Sequence, residues 1–254
     1  AVRFILEAES KIYTPIREGL ETIRFSRPLA TPLGVIGMER YAFRAPDRIE
    51  FSREFNEEVP GIEEIRKAMS VDPKANQMRA EQTISMYLGT FLTYRLDEFQ
   101  VCFLASSADS VRIRCKAKPG SASGEQISYK DMIFTPEGLI QKIKIVNNQA
   151  MTQTIQITLK EMESIGQYLL DQVEISNDNP ANPMKTTQHF FYEKIKGFQI
   201  VARTEVEVAP LKQRVEFRTQ DIGINEPEPE TRKPETEKKE EAEETGKNQG
   251  EGTD

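Results

Sequence analysis

"GVIGMERYAFRAPDRIEFSREF", residues 34–55, sets the terms of the fold. Its apolar side chains fall mostly on alternate positions: Tyr41 and Phe43, then Ile49, Phe51 and Phe55. A period of two is the signature of a strand with one apolar face and one charged face. Pro46-Asp47 interrupts the run, so the stretch predicts two long strands joined at a bend. An antiparallel sheet with one oily face must cover it. It can close on itself, pack on a second sheet, or hold helices against it.

Working outward, Val2, Ile5, Leu6, Ile12, Tyr13 and Ile16 have helical spacing and predict an amphipathic helix ending near Pro15. "GLETIRFSRPLATP" (19–32) reads as a strand. "PGIEEIRKAMSVDP" (60–73) reads as a short helix with acids in its first turn, where the helix dipole favours them. Asp72-Pro73 forms an N-cap and first helical position. The helix that follows is expected over 73–95, with an apolar face of Met78, Ile84, Tyr87, Leu88, Phe91 and Leu92. Gly89 on that helix admits a close neighbour. These two helices are the expected cover for the sheet.

From Phe99 onward the pattern is strand again. Turns fall at Pro136-Glu137-Gly138 and Asn147-Asn148. Gly138-Leu139-Ile140 aligns with Gly197-Phe198-Gln199, at a separation of 59 residues. This predicts two similar hairpins in one large antiparallel sheet. The fold class is α+β, mainly antiparallel β.

Residues 226–254 contain eleven acids, five bases and no aliphatic side chain larger than alanine. Such a segment cannot bury enough apolar surface to offset the entropy of ordering it, and we expect it to be a disordered acidic tail. It holds −6 of the chain's net charge of −7, which leaves −1 on residues 1–225. A body so near neutrality gives no case for nucleic-acid binding. No apolar run approaches the roughly 18 residues of a membrane helix. Ala1 in first position fits removal of an export signal or trimming of the chain.

Cys102 and Cys115 flank a predicted hairpin whose turn lies at Ser107 to Ser110. That turn would set the two thiols directly opposite, within reach of a disulfide. A slip of one residue would put them on opposite faces. Catalytic equipment is scarce. His189 is the single histidine, no nucleophile motif accompanies it, and no cluster has zinc spacing. "GSASG" (120–124) reads as a turn rather than a phosphate loop, and Glu161 with Glu163 reads as a solvated strand face. The chain is therefore read as a non-enzyme without cofactor or metal.

An N-terminal helix, a strand, and then "GMERYAFRAPDRIEFS" (37–52) resemble the outer-membrane lipoprotein-sorting superfamily, which includes LolA, LolB and mycobacterial lipoprotein carriers. "DMIFTPEGLIQKIKIVNNQAMTQTIQITLKEMES" (131–164) is similar to the family's later hairpin. "GFQIVARTEVEV" followed by "VEFRTQDIGIN" is similar to its ending. The resemblance spans residues 1–225 and rests on an order of elements rather than a tight signature. It implies an unclosed half-barrel, a strongly curved sheet with helices across its concave face and a cavity for acyl chains between them. One departure stands out. The family's carrier has an arginine immediately before the proline, where this chain has Ala45, and Arg44 lies one position earlier on the other strand face. The family's lid-gating role is not transferred to it.

With that resemblance, the expected cavity wall is Tyr41, Phe43, Ile49 and Phe51 on the sheet and Tyr87, Leu88, Phe91 and Leu92 on the cover. The implied function is a monomeric periplasmic carrier of lipid or lipoprotein acyl chains that meets donor and acceptor proteins at membranes. Two alternatives stay open. The aromatics could be plain core, or the same half-barrel could serve as an envelope interaction module that binds a protein.

Overall fold

The computed structural model describes residues 1–31, 34–70, 72–178, 184–209 and 213–226. The opening stretch folds as its periodicity predicts. Strands β1 (Thr22–Thr31), β2 (Gly34–Arg44) and β3 (Arg48–Phe55) form an antiparallel ribbon, with Tyr41 flanked by Phe25 on β1 and Phe51 on β3. The Pro-Asp pair makes the bend between β2 and β3.

A second, nine-stranded sheet follows. It comprises β4 (Phe99–Ser106), β5 (Val111–Ala117), β6 (Ile127–Phe134), β7 (Ile140–Asn147), β8 (Thr152–Met162), β9 (Gln167–Asn177), β10 (Lys185–Ile195), β11 (Phe198–Ala209) and β12 (Gln213–Arg218), each beside its sequence neighbour. Both matched hairpins, β6–β7 and β10–β11, lie in it. Gly138 and Gly197 hold equivalent left-handed turn positions, at φ +84° and +94°.

The expectation of one large sheet is corrected in one respect. After β12 the chain passes Thr219 and enters β13 (Gln220–Ile224), which pairs with β1 in the four-stranded sheet β13-β1-β2-β3. Thr219 anchors the corner: its N–H donates to the Ala202 carbonyl and its hydroxyl to that of Val201, both at 2.8 Å. Strands that switch sheets in this way make the corners of β architectures. β3 and β4 stand at the two outer edges and do not pair, so the structure is unclosed. Register shifts within β4–β5, β6–β7, β8–β9 and β10–β11 bend the large sheet.

Among the described residues three α-helices pack on the sheets. Helix α1 (Val2–Ser10) is shorter than its periodicity implied. Beyond Ser10 the backbone is satisfied by β9 instead: the Tyr13 N–H donates to the Tyr168 carbonyl at 2.8 Å, and the Tyr168 N–H to that of Lys11 at 2.9 Å. Ile5 and Ala8 of α1 are buried in the main core, so α1 shares the covering role expected of the middle helices alone. Helix α2 (Ile62–Ser70) packs Ile62 on Leu29 and Ile36 in a small separate core.

Helix α3 (Pro73–Tyr87) begins as read, with the Asp72 carboxylate accepting from the Ala75 N–H at 2.9 Å. It ends at Tyr87 rather than Arg95. Gly89 adopts φ +69°, and a Cβ there would stand 2.3 Å from the Tyr13 carbonyl oxygen. The close neighbour that Gly89 admits is the backbone leaving α1, and meeting it breaks the helix. The segment 88–95 continues as turns that bury Leu88 and Leu92.

The proposed disulfide is not formed. The turn at Ser107 to Ser110 is the one expected, and Ser106 pairs with Val111 and Ala105 with Arg112. A bulge at Leu104 then shifts the register by one, so that Cys102 faces Arg114 and Cys115 faces Val101. Both thiols are free, Cys102 exposed and Cys115 buried. Of the acidic segment, Glu226 pairs with Lys196 at 2.8 Å and Arg24 at 3.2 Å. The disorder expected over 227–254 lies outside the described residues.

Candidate functional site: the cavity under helix α3

The concave face of β6–β9 and the underside of α3 enclose a cavity of about 650 Å³. That is within the ~300–1,000 Å³ typical of small-molecule sites. The alternation of the sequence builds its floor. Ile143 and Ile145 on β7, Ile155 and Ile157 on β8, and Val173 on β9 all point inward, because cross-strand partners share a face: Ile143 opposes Ile155, and Ile157 opposes Val173. The roof is a helical stripe. Ala75, Met78, Arg79, Gln82, Ser85 and Met86 follow three- and four-residue spacing along α3 and face the cavity. The other face of α3, with Ala80, Ile84 and Tyr87, is buried in the core. Gln126, Met151 and Gln153 form an exposed rim.

The roof is tethered at two places along α3. Near its start, Asn76 accepts from Arg53 of β3 at 3.0 Å, and Gln77 donates to the Ile49 carbonyl. Further along, Glu81 accepts from Arg95 at 2.8 Å and from the Tyr94 hydroxyl at 2.9 Å. Burial pushes the Glu81 carboxyl up, but the hydrogen bonds from Arg95, Tyr94 and Gln77 outweigh it and hold the group below its usual range. Arg95 also reaches Glu98 at 2.9 Å, whose second oxygen accepts from the Ser123 N–H at 2.7 Å. One ionic chain thus joins α3 to the loop before β6.

Of the eight residues expected to wall the cavity, Phe91 does so. The other seven are placed elsewhere, which corrects that expectation. Tyr41, Phe43, Tyr87, Leu88 and Leu92 are buried in the main core, and Ile49 and Phe51 pack against it. Phe25 stacks between Tyr41 and Tyr87, with ring centres 5.0 and 5.2 Å away. The opening strands do not wall this cavity, although Phe43 borders a small separate cleft, and they carry a charge that the apolar pattern concealed. Glu39 sits two residues before Tyr41 on the same strand face and is 5% exposed. It accepts from Arg27 at 2.7 Å, from Arg53 at 3.0 Å and from the Tyr41 hydroxyl at 2.7 Å. The guanidiniums of Arg27 and Arg53 then lie 5.2 and 4.9 Å from the ring centres of Tyr41 and Phe51. Those aromatic faces are already occupied.

Arg44, His189, Glu161 and Glu163 also lie outside the cavity lining, whereas Ser123 of the 120–124 turn lies in it. Arg44 is at the exposed end of β2 opposite Arg48, His189 is on β10, and Glu161 and Glu163 are exposed. The floor residues that did not enter the expected wall carried a signal nonetheless. "QKIKIV" and "TIQITL" alternate strictly, and their isoleucines are the floor. One further residue broke an apolar pattern. Lys130 shares its strand face with Met132 and Phe134, both fully buried, and is itself 8% exposed at the cavity wall.

No protein-family profile matches this chain, and no curated protein matches it. Among solved structures, the chain is similar to a crystal structure of a domain from Vibrio parahaemolyticus, provisionally named an outer membrane lipoprotein-sorting protein. The two share 8% identity with a TM-score of 0.32, over 94% of this chain and 96% of the other.

Proposed function

We propose that the chain binds the acyl portion of a lipid or lipoprotein in the cavity under α3 and shields it from water within the cell envelope. The observation that carries this reading is the isoleucine floor of the cavity, roofed by Met78, Met86 and Phe91 among the residues of α3 and the turn after it. An acyl chain in water costs about 0.8 kcal/mol per exposed methylene, and an apolar cavity removes that cost without any catalytic group. The sequence resemblance to lipoprotein-sorting proteins supports the same reading. The envelope setting and encounters with donor and acceptor proteins at membranes follow from that resemblance.

The test is a fluorescent fatty-acid probe, with mass spectrometry of lipids extracted from the purified protein. Phe91→Asp in the cover and Ile155→Asp in the floor each place an unpaired charge where the chain would lie. Both should lose probe binding while circular dichroism stays β-rich. Wild-type protein that binds no probe, or variants that keep full affinity, would overturn the proposal. The fold would then stand as an interaction module for a protein partner.

A further inference from the structure

Among the strand residues that line the cavity Lys130 carries the charge; Asn147, Thr152, Gln153 and Asn177 are polar but neutral, and the rest are apolar. The Lys130 ammonium lies 4.4 Å from the centre of the Phe99 ring, on the β6 side of a cavity that Arg95 and Ser123 also line. Across the sheet its neighbours are Cys115 on β5 and Ile145 on β7. Among the described residues no carboxylate pairs with it. Glu98 is the acid whose field reaches it, and both oxygens of Glu98 are engaged, one by Arg95 and one by the Ser123 N–H. Glu81 is likewise held by Arg95 and Tyr94. Asp131, next in sequence, points to the opposite face and is bound by Arg112 and Arg114.

Lysine is almost never so buried without a partner, because an ammonium removed from water needs a counter-charge or hydrogen-bond acceptors. An aromatic face supplies only part of that. We infer that Lys130 receives the anionic group of an amphiphile, a carboxylate or phosphate whose acyl chain lies along Ile143, Ile155, Ile157 and Val173. This rests on the acyl-binding reading and sharpens it, since a neutral chain would leave the ammonium unmatched. The charge then sits at one end of the cavity, so the ligand enters in one orientation. Burial also disfavours the charged ammonium, and an incoming anion reverses that preference.

The experiment compares dodecanoate, dodecyl phosphate and dodecanol, which share a chain and differ in the head. Binding is measured by calorimetry at neutral pH on the full chain, wild type and Lys130→Met. Wild type should bind at least one anion about tenfold or more tightly than the alcohol, the scale of a hydrogen bond to a charged group. The tighter anion identifies the head group. Lys130→Met should lose that preference and keep its affinity for dodecanol, and Lys130→Gln should behave alike. Equal binding of alcohol and anions by wild type, or an unchanged preference in Lys130→Met, overturns the role of Lys130 while the acyl site stands. Failure of wild type to bind any of the three overturns both.

Discussion

Lys130→Met in the unliganded protein should raise stability. The side chain is 8% exposed, and its ammonium is faced by Phe99 with no carboxylate in contact among the described residues. Methionine keeps the length of the stem and replaces the charge by an apolar sulfur. Exchange of buried ionic groups for well-packed apolar ones of similar volume is often stabilising by about 1–4 kcal/mol. The lost contact with the Phe99 ring, up to about 2 kcal/mol when desolvated, subtracts from this. A net gain of about 1–2 kcal/mol is expected, and at about 2–4 °C per kcal/mol for a domain of this size the thermal midpoint rises by several degrees. The pH dependence separates this cause from better packing. Burial lowers the Lys130 pKa in the folded state, so the unfolded chain binds more protons between the folded value and the unfolded value of about 10.4. Wild-type stability therefore recovers as pH rises through that window. The advantage of Lys130→Met should be full below the lowered folded-state value and shrink as pH rises from there toward about 10.4. Urea denaturation of both proteins across that range measures it. A variant less stable than wild type, or a gain that does not change with pH, would refute the account of Lys130 as a buried cation without a partner.

Other perturbations test the rest of the architecture. Glu39→Ala should cost about 3–5 kcal/mol, because Arg27 and Arg53 lose their shared carboxylate in a buried site. Burial pushes the Glu39 carboxyl up, but Arg27, Tyr41 and Arg53 together hold it below its usual value, so its contribution is present above the unfolded pKa of about 4.3 and is lost as pH falls through the folded one. Denaturation in acid should show the wild type converging on Glu39→Ala. Gly89→Ala combines a φ of +69° with a Cβ set against the Tyr13 carbonyl, and should cost more than the ~1 kcal/mol of an ordinary glycine exchange, read as a lowered thermal midpoint. Native protein should alkylate at Cys102 and resist at Cys115 until unfolded, since the second thiol is buried and pushed up to about 11, and non-reducing peptide mapping should find no link between them.

Much of the secondary structure was legible in the sequence. Period-two alternation located β2 and β3, the repeat of Gly138 and Gly197 located two hairpins, and Asp72-Pro73 marked the start of α3. These are local signals, because an alternating side chain or a cap declares its geometry within a few residues. The Cys102–Cys115 register shows where local reading stops. The turn was right, and a bulge at Leu104, invisible to spacing, moved the partners by one residue and so to opposite faces. The ends of α1 and α3 were set by each other, through the contact of Gly89 with Tyr13 and the capture of Tyr13 by β9.

The site divides in the same way. Alternation marked every concave-facing residue without distinction, so Tyr41 and Phe43 looked as fit to wall a cavity as Ile143 and Ile155. What decided between them was packing across elements far apart in sequence. Phe25, Tyr41 and Tyr87 stack on one another, while α3 stands off the floor of β7–β9 and leaves it open. The charged residues Glu39 and Lys130 interrupted apolar faces in the sequence and could have been noticed there. Only the tertiary structure could show that Glu39 has two arginines waiting for it and that Lys130 meets no such partner among the described residues, because a counter-charge is supplied from other strands and its presence is a matter of distance, not of pattern.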